Sequence, residues 1–307
     1  MKHECFNVNL NGKSMVSRQT FDGTNELAKY IKTAETNQVW KKEGCRISSR
    51  QKKESDFNDF DSFEDAVQAL EYGTDLYYQD FKKNIKQVED YINKNSKNKV
   101  ANYKNDQVGF IPIVPKVLQG NPINMINQDV KPKPFPTARI ILEKSNSCHI
   151  KSNDMNKFYA IIFVLIQLLE NKGIRCEIWV VDNAYECDEI ITLKVKLKNY
   201  MQPLNLYKIQ FPIIASDFFR RIGFRIIETN QDIKERGWCY GYGSPLLTRF
   251  DLKQRKKEIY EVIGIEESDI YIPSCQYFDF KEDDDLDEAL KSIINKTNLK
   301  NYIQITD

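Results

Sequence analysis

The stretch that decides the fold is "TARIILEKSNSCHIKSNDMNKFYAIIFVLIQLLENKGIRCEIWVVD", residues 137–182. It opens with Ala138, Ile140, Ile141 and Leu142 in a short apolar run, the pattern of a buried strand rather than of a half-exposed one. A polar segment from Glu143 to Met155 follows. Apolar side chains then fill Phe158 to Leu169 with only Gln167 intervening. That pattern predicts a helix from Asp154 to Lys172, with Gly173 as its stop signal. "IRCEIWVVD" is a second apolar strand, ending at Asp182. Strand, helix and strand in this order predict an α/β sheet covered by helices.

Working outward, "EIITLKVKLK" places Ile191, Leu193, Val195 and Leu197 on one face, as an edge or half-buried strand does. "LNLYKIQFPIIASDFFRRIGFRIIE" predicts a helical region interrupted near Pro212. "SDIYIPSC" predicts a short strand, "DDDLDEALKSIINKT" a helix with acidic residues in its first turns, and "YIQIT" a last strand. Upstream, Pro112, Pro115 and Pro122 break any long helix, and Pro132, Pro134 and Pro136 form a stiff connector. They set an expected boundary near residue 130. Before it, "TNELAKYIKTAETNQVW", "DSFEDAVQALEYG" and "LYYQDFKKNIKQVEDYINK" predict helices, while the rest of residues 1–55 looks irregular. The expected organisation is a mainly helical region, 1–130, followed by an α/β domain, 131–307.

Composition narrows the function. The chain has 307 residues, 41% hydrophobic and 29% charged, with a formal net charge of +1. It therefore has the makings of a folded core and no global attraction to nucleic acid or anionic membrane. The cysteines, Cys5, Cys45, Cys148, Cys176, Cys187, Cys239 and Cys275, are odd in number and never spaced C-x-x-C. This spacing argues against a disulfide framework or a zinc knuckle and for a reducing compartment. With only His3 and His149, imidazole-rich metal sites and Ser-His-Asp chemistry are disfavoured. The N-terminus shows no signal peptide, and Phe158 to Leu169 falls short of the roughly 20 residues a spanning helix needs. A cytoplasmic protein is expected.

In open α/β sheets, ligands sit beyond the carboxyl ends of the strands. Glu143, Ser145 and Ser147 alternate at such a position, and a carboxylate with two hydroxyls offers oxygen ligands suited to Mg²⁺ or Mn²⁺. The order "RIILEKSNSCHIKSNDMNKFYAIIFVLIQLLENKGIRCEIWVVD" resembles the start of a von Willebrand factor A-type domain. In that family a first strand ends in Asp-x-Ser-x-Ser, a long helix follows, and a second strand ends near a polar residue. The resemblance implies a Rossmann-like sheet with helices on both faces and a metal site holding a partner's carboxylate. Glu143 takes the place of the Asp, and Ser145 and Ser147 match the serines. Glu is one methylene longer, which re-aims the carboxylate or leaves a loop that no longer holds metal. Asp182 and Asp279, near later strand ends, are the candidates for the remaining ligands, though neither sits in a recognisable motif. "FDSFEDAVQALEYG", "QGNPINMIN" and "ASDFFRRIGFRIIE" also resemble segments of an uncharacterised family of tailed-bacteriophage proteins.

Other constellations carry weaker chemistry. "GWCYGYGSP" interleaves glycines with Trp238, Tyr240 and Tyr242, which suits close approach to a ligand or stacking on bases, and equally a structured surface loop. Arg220 and Arg221 form a pair able to clamp phosphate or carboxylate, or to snorkel from a core helix. The acidic run before Leu286 reads as helix-dipole complementarity. The function expected from these residues is a non-enzymatic interaction protein, phage or mobile-element encoded, that binds a protein partner through strand-end loops. The alternatives are a metal-dependent phosphoester hydrolase or nuclease built on Glu143, Asp182 and Asp279, and a virion structural component.

Overall fold

The computed structural model describes residues 1–10, 12–42, 45, 47–53, 57–79, 103–108, 111–128, 136–281 and 284–303. Strands β1 (Lys2–Asn9) and β2 (Lys13–Phe21) open the chain, followed by helices α1 (Thr24–Thr33) and α2 (Phe63–Tyr72). Strands β3 (Tyr103–Asp106), β4 (Ile111–Pro112) and β5 (Met125–Gln128), with helix α3 (Val114–Leu118), make a small separate sheet ordered β3-β5-β4. The deciding stretch then supplies β6 (Thr137–Glu143), α4 (Ser152–Asn171) and β7 (Arg175–Glu186), and β8 (Glu189–Lys198) follows.

Next come α5 (Leu206–Ile214), a π-helical turn (Phe218–Gly223), α6 (Phe224–Thr229), β9 (Ser244–Pro245), α7 (Leu246–Arg249), α8 (Lys256–Ile263), β10 (Ile270–Ile272) and α9 (Leu286–Lys296). The helix predicted over residues 76–94 and the strand predicted over 302–306 fall largely outside the described residues. The described part of the latter, Tyr302 and Ile303, carries no strand.

The main sheet runs β1-β2-β8-β7-β6-β10, with β9 pairing to β7. β6 is parallel to both β7 and β10, whereas β7 and β8 form an antiparallel hairpin. Its two-residue turn holds Cys187 at φ 48° and Asp188 at φ 60°, the paired left-handed conformation that matches strand twist.

Period-two alternation sorts the strands' side chains between two cores. Ile140, Leu142, Ile178, Val180, Leu193 and Val195 pack with α1, α2, α4, α5 and α9 on one face. Ile141, Trp179, Val181, Ile190 and Tyr271 pack with α7 and α8 on the other. A mixed α/β sheet with helices on both faces is therefore present.

The N-terminal region departs from expectation. Residues 2–21, expected to be irregular, form a hairpin whose second strand pairs parallel with β8, Met15 opposite Glu189 and Phe21 opposite Val195. β8, expected as an edge or half-buried strand, consequently lies inside the sheet, which is why its Thr192 and Lys194 are buried along with its apolar face. The core also continues across residue 130: Phe21, Leu27, Phe63 and Leu70 share one cluster with Ile140 and Phe158. Among the described residues no helix is long and apolar enough to cross a membrane.

Candidate functional site

The parallel strands β6, β7 and β10 end on one side of the molecule, and the chain leaving β6 builds the site there. Glu143, the last residue of β6, is fully buried. Its Oε1 accepts from Asn183 Nδ2 at 3.0 Å, and its Oε2 accepts from the Tyr271 hydroxyl. Burial pushes its carboxyl up to about 7 against the lowering effect of those donors.

Lys144 turns to the opposite face. Its Nζ donates to the carbonyls of Ile213 and Ile214, at 2.8 and 3.2 Å, and lies 3.5 Å from the centre of the Tyr159 ring. A cation at the carbonyl end of α5 is well placed, yet full burial still lowers its pKa to about 7. Ser145 Oγ accepts from the Asn183 backbone N–H at 2.7 Å. Asn146, also buried, accepts from Cys275 Sγ at 3.1 Å and thereby ties the loop to the end of β10.

Asp182 lies beside this group. Burial raises it to about 7, and the neighbouring Glu143 charge pushes the same way. Its Oδ1 has no hydrogen-bond partner among the described residues. Room for its other oxygen is made by Gly223 on the π-helical turn, where a Cβ would sit 1.9 Å from Asp182 Oδ2. Two buried carboxylates and a buried amine thus occupy the floor of the strand-end region.

Above the floor lies a cleft of about 340 Å³. One wall is the loop Asn146–His149, the other the loop Gly241–Pro245, and Asn183, Thr248 and Gln276 close its sides. The second wall is attached to the sheet because β9 pairs with β7, Pro245 opposite Ala184 and Ser244 opposite Tyr185. Tyr242 at φ 58° and Gly243 at φ 75° make the tight bend that brings it there. A Cβ on Gly243 would lie 2.9 Å from the Tyr185 carbonyl oxygen, so glycine is required.

Two motifs separated by about a hundred positions in sequence therefore face each other across one opening. The same loop is anchored at Cys239, which pairs with Cys45 at a Cα–Cα distance of 5.1 Å. The reading of the cysteine spacing as arguing against a disulfide framework does not foresee this bridge. The partners come from distant segments, which spacing cannot register.

The predicted site residues divide accordingly. Glu143, Ser145 and Asp182 gather on the buried floor, behind the residues that line the cleft and not among them. Ser147 is on the rim, its Oγ 3.0 Å from His149 Nδ1 and its N–H donating to Gln276 Oε1 at 2.9 Å. Asp279 is exposed, left-handed at φ 53°, beyond the turn that follows β10, and does not line the cleft.

Arg220 and Arg221 are fully buried staples. Arg220 donates to the carbonyls of Phe57 and Ile150, and Arg221 to those of Ser49, Gln51 and Phe60 while pairing with Asp217. Their forks bind the segment before α2 to the π-helical turn. Trp238 is buried and donates to Glu189 at 2.9 Å. Tyr242 stacks on Phe224 at 4.2 Å and donates to Glu228 at 2.6 Å. The side chain of Tyr240 lies outside the described residues.

Sequence reasoning missed Lys144, Asn183, Thr248, Tyr271 and Gln276. The one available signal was that Lys144 and Asn183 flank apolar strands at positions where a polar side chain has to be buried.

No curated protein and no solved structure matches the chain. A family described as a domain of unknown function (DUF7192) matches residues 7–301, from the N-terminal hairpin to the last turn, and the chain belongs to that family.

Proposed function

We propose that this chain is a non-enzymatic interaction protein that takes an uncharged polar segment of a partner protein into the cleft between the Asn146–His149 and Gly241–Pro245 loops. The observation that carries this reading is the lining. Among the described residues, no aspartate, glutamate, lysine or arginine lines the cleft. It offers amides and hydroxyls from Ser147, Asn183, Ser244 and Gln276, with Phe57 and Phe219 beside them, which is how sites orient a polar backbone over an apolar base.

A phosphoester substrate would need cations at the opening. Arg220 and Arg221 are committed below it.

A von Willebrand A-like identity for the α/β body is supported by the strand order β8-β7-β6-β10, with β8 alone antiparallel to its neighbour among these four. The long helix between β6 and β7 agrees with it. The metal that such a fold implies does not fit the residues as they stand. Glu143 is hydrogen-bonded at both oxygens, Ser145 Oγ holds Asn183, and Ser147 Oγ is turned to His149. Recognition in this reading proceeds through the cleft's own hydrogen-bonding groups, and the resemblance to tailed-phage segments supplies the setting.

The test is to pan a random peptide library against the wild type and measure the enriched peptides by calorimetry against wild type, Thr248→Trp and Ser244→Trp. Binding lost in both folded variants supports the reading. Peptides that bind all three proteins equally, or Mg²⁺-dependent or Mn²⁺-dependent phosphoester turnover by the wild type, would refute it.

A further inference from the structure

At the far edge of the sheet from the cleft, strand β1 carries His3 and Cys5 two positions apart, so both side chains leave the same face. In the antiparallel register Cys5 lies opposite Ser17 of β2, which places Ser17 on that face as well. The turn after α6 brings Asp232 against them. His3 Nε2 is 2.7 Å from Asp232 Oδ2, the Cys5 thiol donates to the same oxygen at 3.0 Å, and Cys5 Sγ is 3.5 Å from His3 Nε2.

We propose that His3 Nε2, Cys5 Sγ and Asp232 Oδ2 form a binding site for a divalent cation of the zinc class, with three protein ligands and one open position.

Three observations carry the proposal. First, the three ligand atoms come from separate positions yet lie within 4.8 Å of one another. A tetrahedral zinc with bonds of about 2.3 Å to sulfur and about 2.0–2.1 Å to nitrogen and oxygen places its ligands roughly 3.4–3.6 Å apart. The sulfur–nitrogen edge already has that length. The two edges to Asp232 open by about half an ångström, a movement within reach of short side chains at an exposed edge.

Second, the carboxylate is held from behind. Ser17 Oγ donates to Asp232 Oδ2 at 2.6 Å, Asn230 Nδ2 donates to Ser17 Oγ at 2.9 Å, and Asn230 Oδ1 accepts from the Asp232 backbone N–H at 2.9 Å. Ser17 and Asn230 are themselves fully buried. A ligand whose position is fixed by buried hydrogen-bonding neighbours is what a metal centre requires beyond the ligands themselves.

Third, the donor set is mixed. Sulfur, imidazole nitrogen and one carboxylate oxygen suit zinc, and they do not suit Mg²⁺ or Ca²⁺, which take oxygen ligands throughout. His3 and Cys5 are exposed, so a cation has direct access. Once bound, it would fasten the edge strand to the turn that ends α6.

The experiment titrates Co²⁺ into the reduced, tag-free full chain and follows the near-ultraviolet thiolate-to-cobalt charge-transfer band, then back-titrates with Zn²⁺. One equivalent producing the band, its bleaching by Zn²⁺, and its loss in Cys5→Ser and His3→Gln are the expected results. Ser17→Ala should weaken affinity by about tenfold or more, as outer-shell changes do. Cys148→Ser and Cys187→Ser, which remove the other exposed thiols, should leave the band intact. A wild type without the band, or a band that survives Cys5→Ser, overturns the proposal. Melting curves without metal establish that each variant is folded.

Discussion

Replacing Gly223 by alanine should destabilise the protein, and the same replacement should become stabilising once Asp182 is alanine. Gly223 has φ −60° and ψ −46°, ordinary helical values, so alanine fits the backbone and would by itself gain about 1 kcal/mol over glycine. The new methyl, however, would sit 1.9 Å from Asp182 Oδ2 and 3.1 Å from its Cγ. Ordinary contact requires the carboxylate to retreat by more than about 1 Å, and overpacking of a closed site costs about 1–3 kcal/mol. Displacing a buried carboxylate from its hydrogen-bonding surroundings adds to that.

The clash therefore outweighs the propensity gain, and Gly223→Ala alone should lose about 1–2 kcal/mol. In the Asp182→Ala background the obstruction is absent, and the methyl fills space the carboxylate has left. Gly223→Ala should then gain up to about 1 kcal/mol. The resulting coupling of about 2–3 kcal/mol is at the upper end for residues in contact. Urea denaturation of the four proteins, fitted with a common slope, measures it. Changes that add within about 0.5 kcal/mol would refute the argument, because they would mean that the two residues do not meet.

Three further outcomes concern the titrating carboxylates and amine at the strand ends, the Arg221–Asp217 pair and the Cys45–Cys239 bridge. Glu143 and Asp182 are raised by burial to about 7, so the folded protein keeps protons that the unfolded chain releases from about pH 4. Stability should accordingly fall as pH rises toward 7, by up to about 3–4 kcal/mol per group. Lys144, lowered by burial to about 7, gives up a proton that the unfolded chain holds until about pH 10, so stability should recover above 7. Denaturation midpoints across this range should show the fall flattened in Glu143→Gln and the recovery abolished in Lys144→Met. Arg221→Met leaves the buried Asp217 without its ion partner and should cost about 3–5 kcal/mol in the same assay, against under about 0.5 kcal/mol for the exposed Arg249→Met. Alkylation of the unfolded, unreduced protein should label five of the seven cysteines, and Cys239→Ser should lower stability under oxidising conditions by about 2–4 kcal/mol.

What could be read in the sequence was local. Ile140 to Leu142, Phe158 to Leu169 and Ile178 to Val181 announce their elements because each is an apolar run, broken only by Gln167 in the second, and the observed β6, α4 and β7 follow them within a few residues. In "DSFEDAVQALEYG" capping chemistry offers Asp61 or Ser62 at the start of α2 and Gly73 at its end, and the structure uses Ser62, whose side chain accepts from the Asp65 N–H, and Gly73. The first hairpin was hidden because its polar positions are satisfied far away. Ser17 and Gln19 are buried against the turn after α6 and against Tyr30, and nothing in "KSMVSRQTF" shows that. Arg220 and Arg221 had the same ambiguity: two adjacent cations read alike whether their forks face a ligand or the carbonyls of residues 49–60. In the strand-end region, Glu143 and Ser145 were visible by position. Tyr271 and Gln276 joined them only through the parallel pairing of β10 with β6.

The pairing of β2 with β8 also bears on how the chain is made. Met15 must find Glu189, and Phe21 must find Val195, so β2, synthesised well before β8, completes its place in the sheet only after residues 189–195 have emerged. Until then the β2 side of that hairpin has no neighbour, and a strand edge without a neighbour is a template for other chains. The contact is among the most non-local in the molecule, of the type that slows folding. A nascent chain halted before residue 189 would hold the N-terminal strands and no place to put them, which makes this junction the point where folding and aggregation compete.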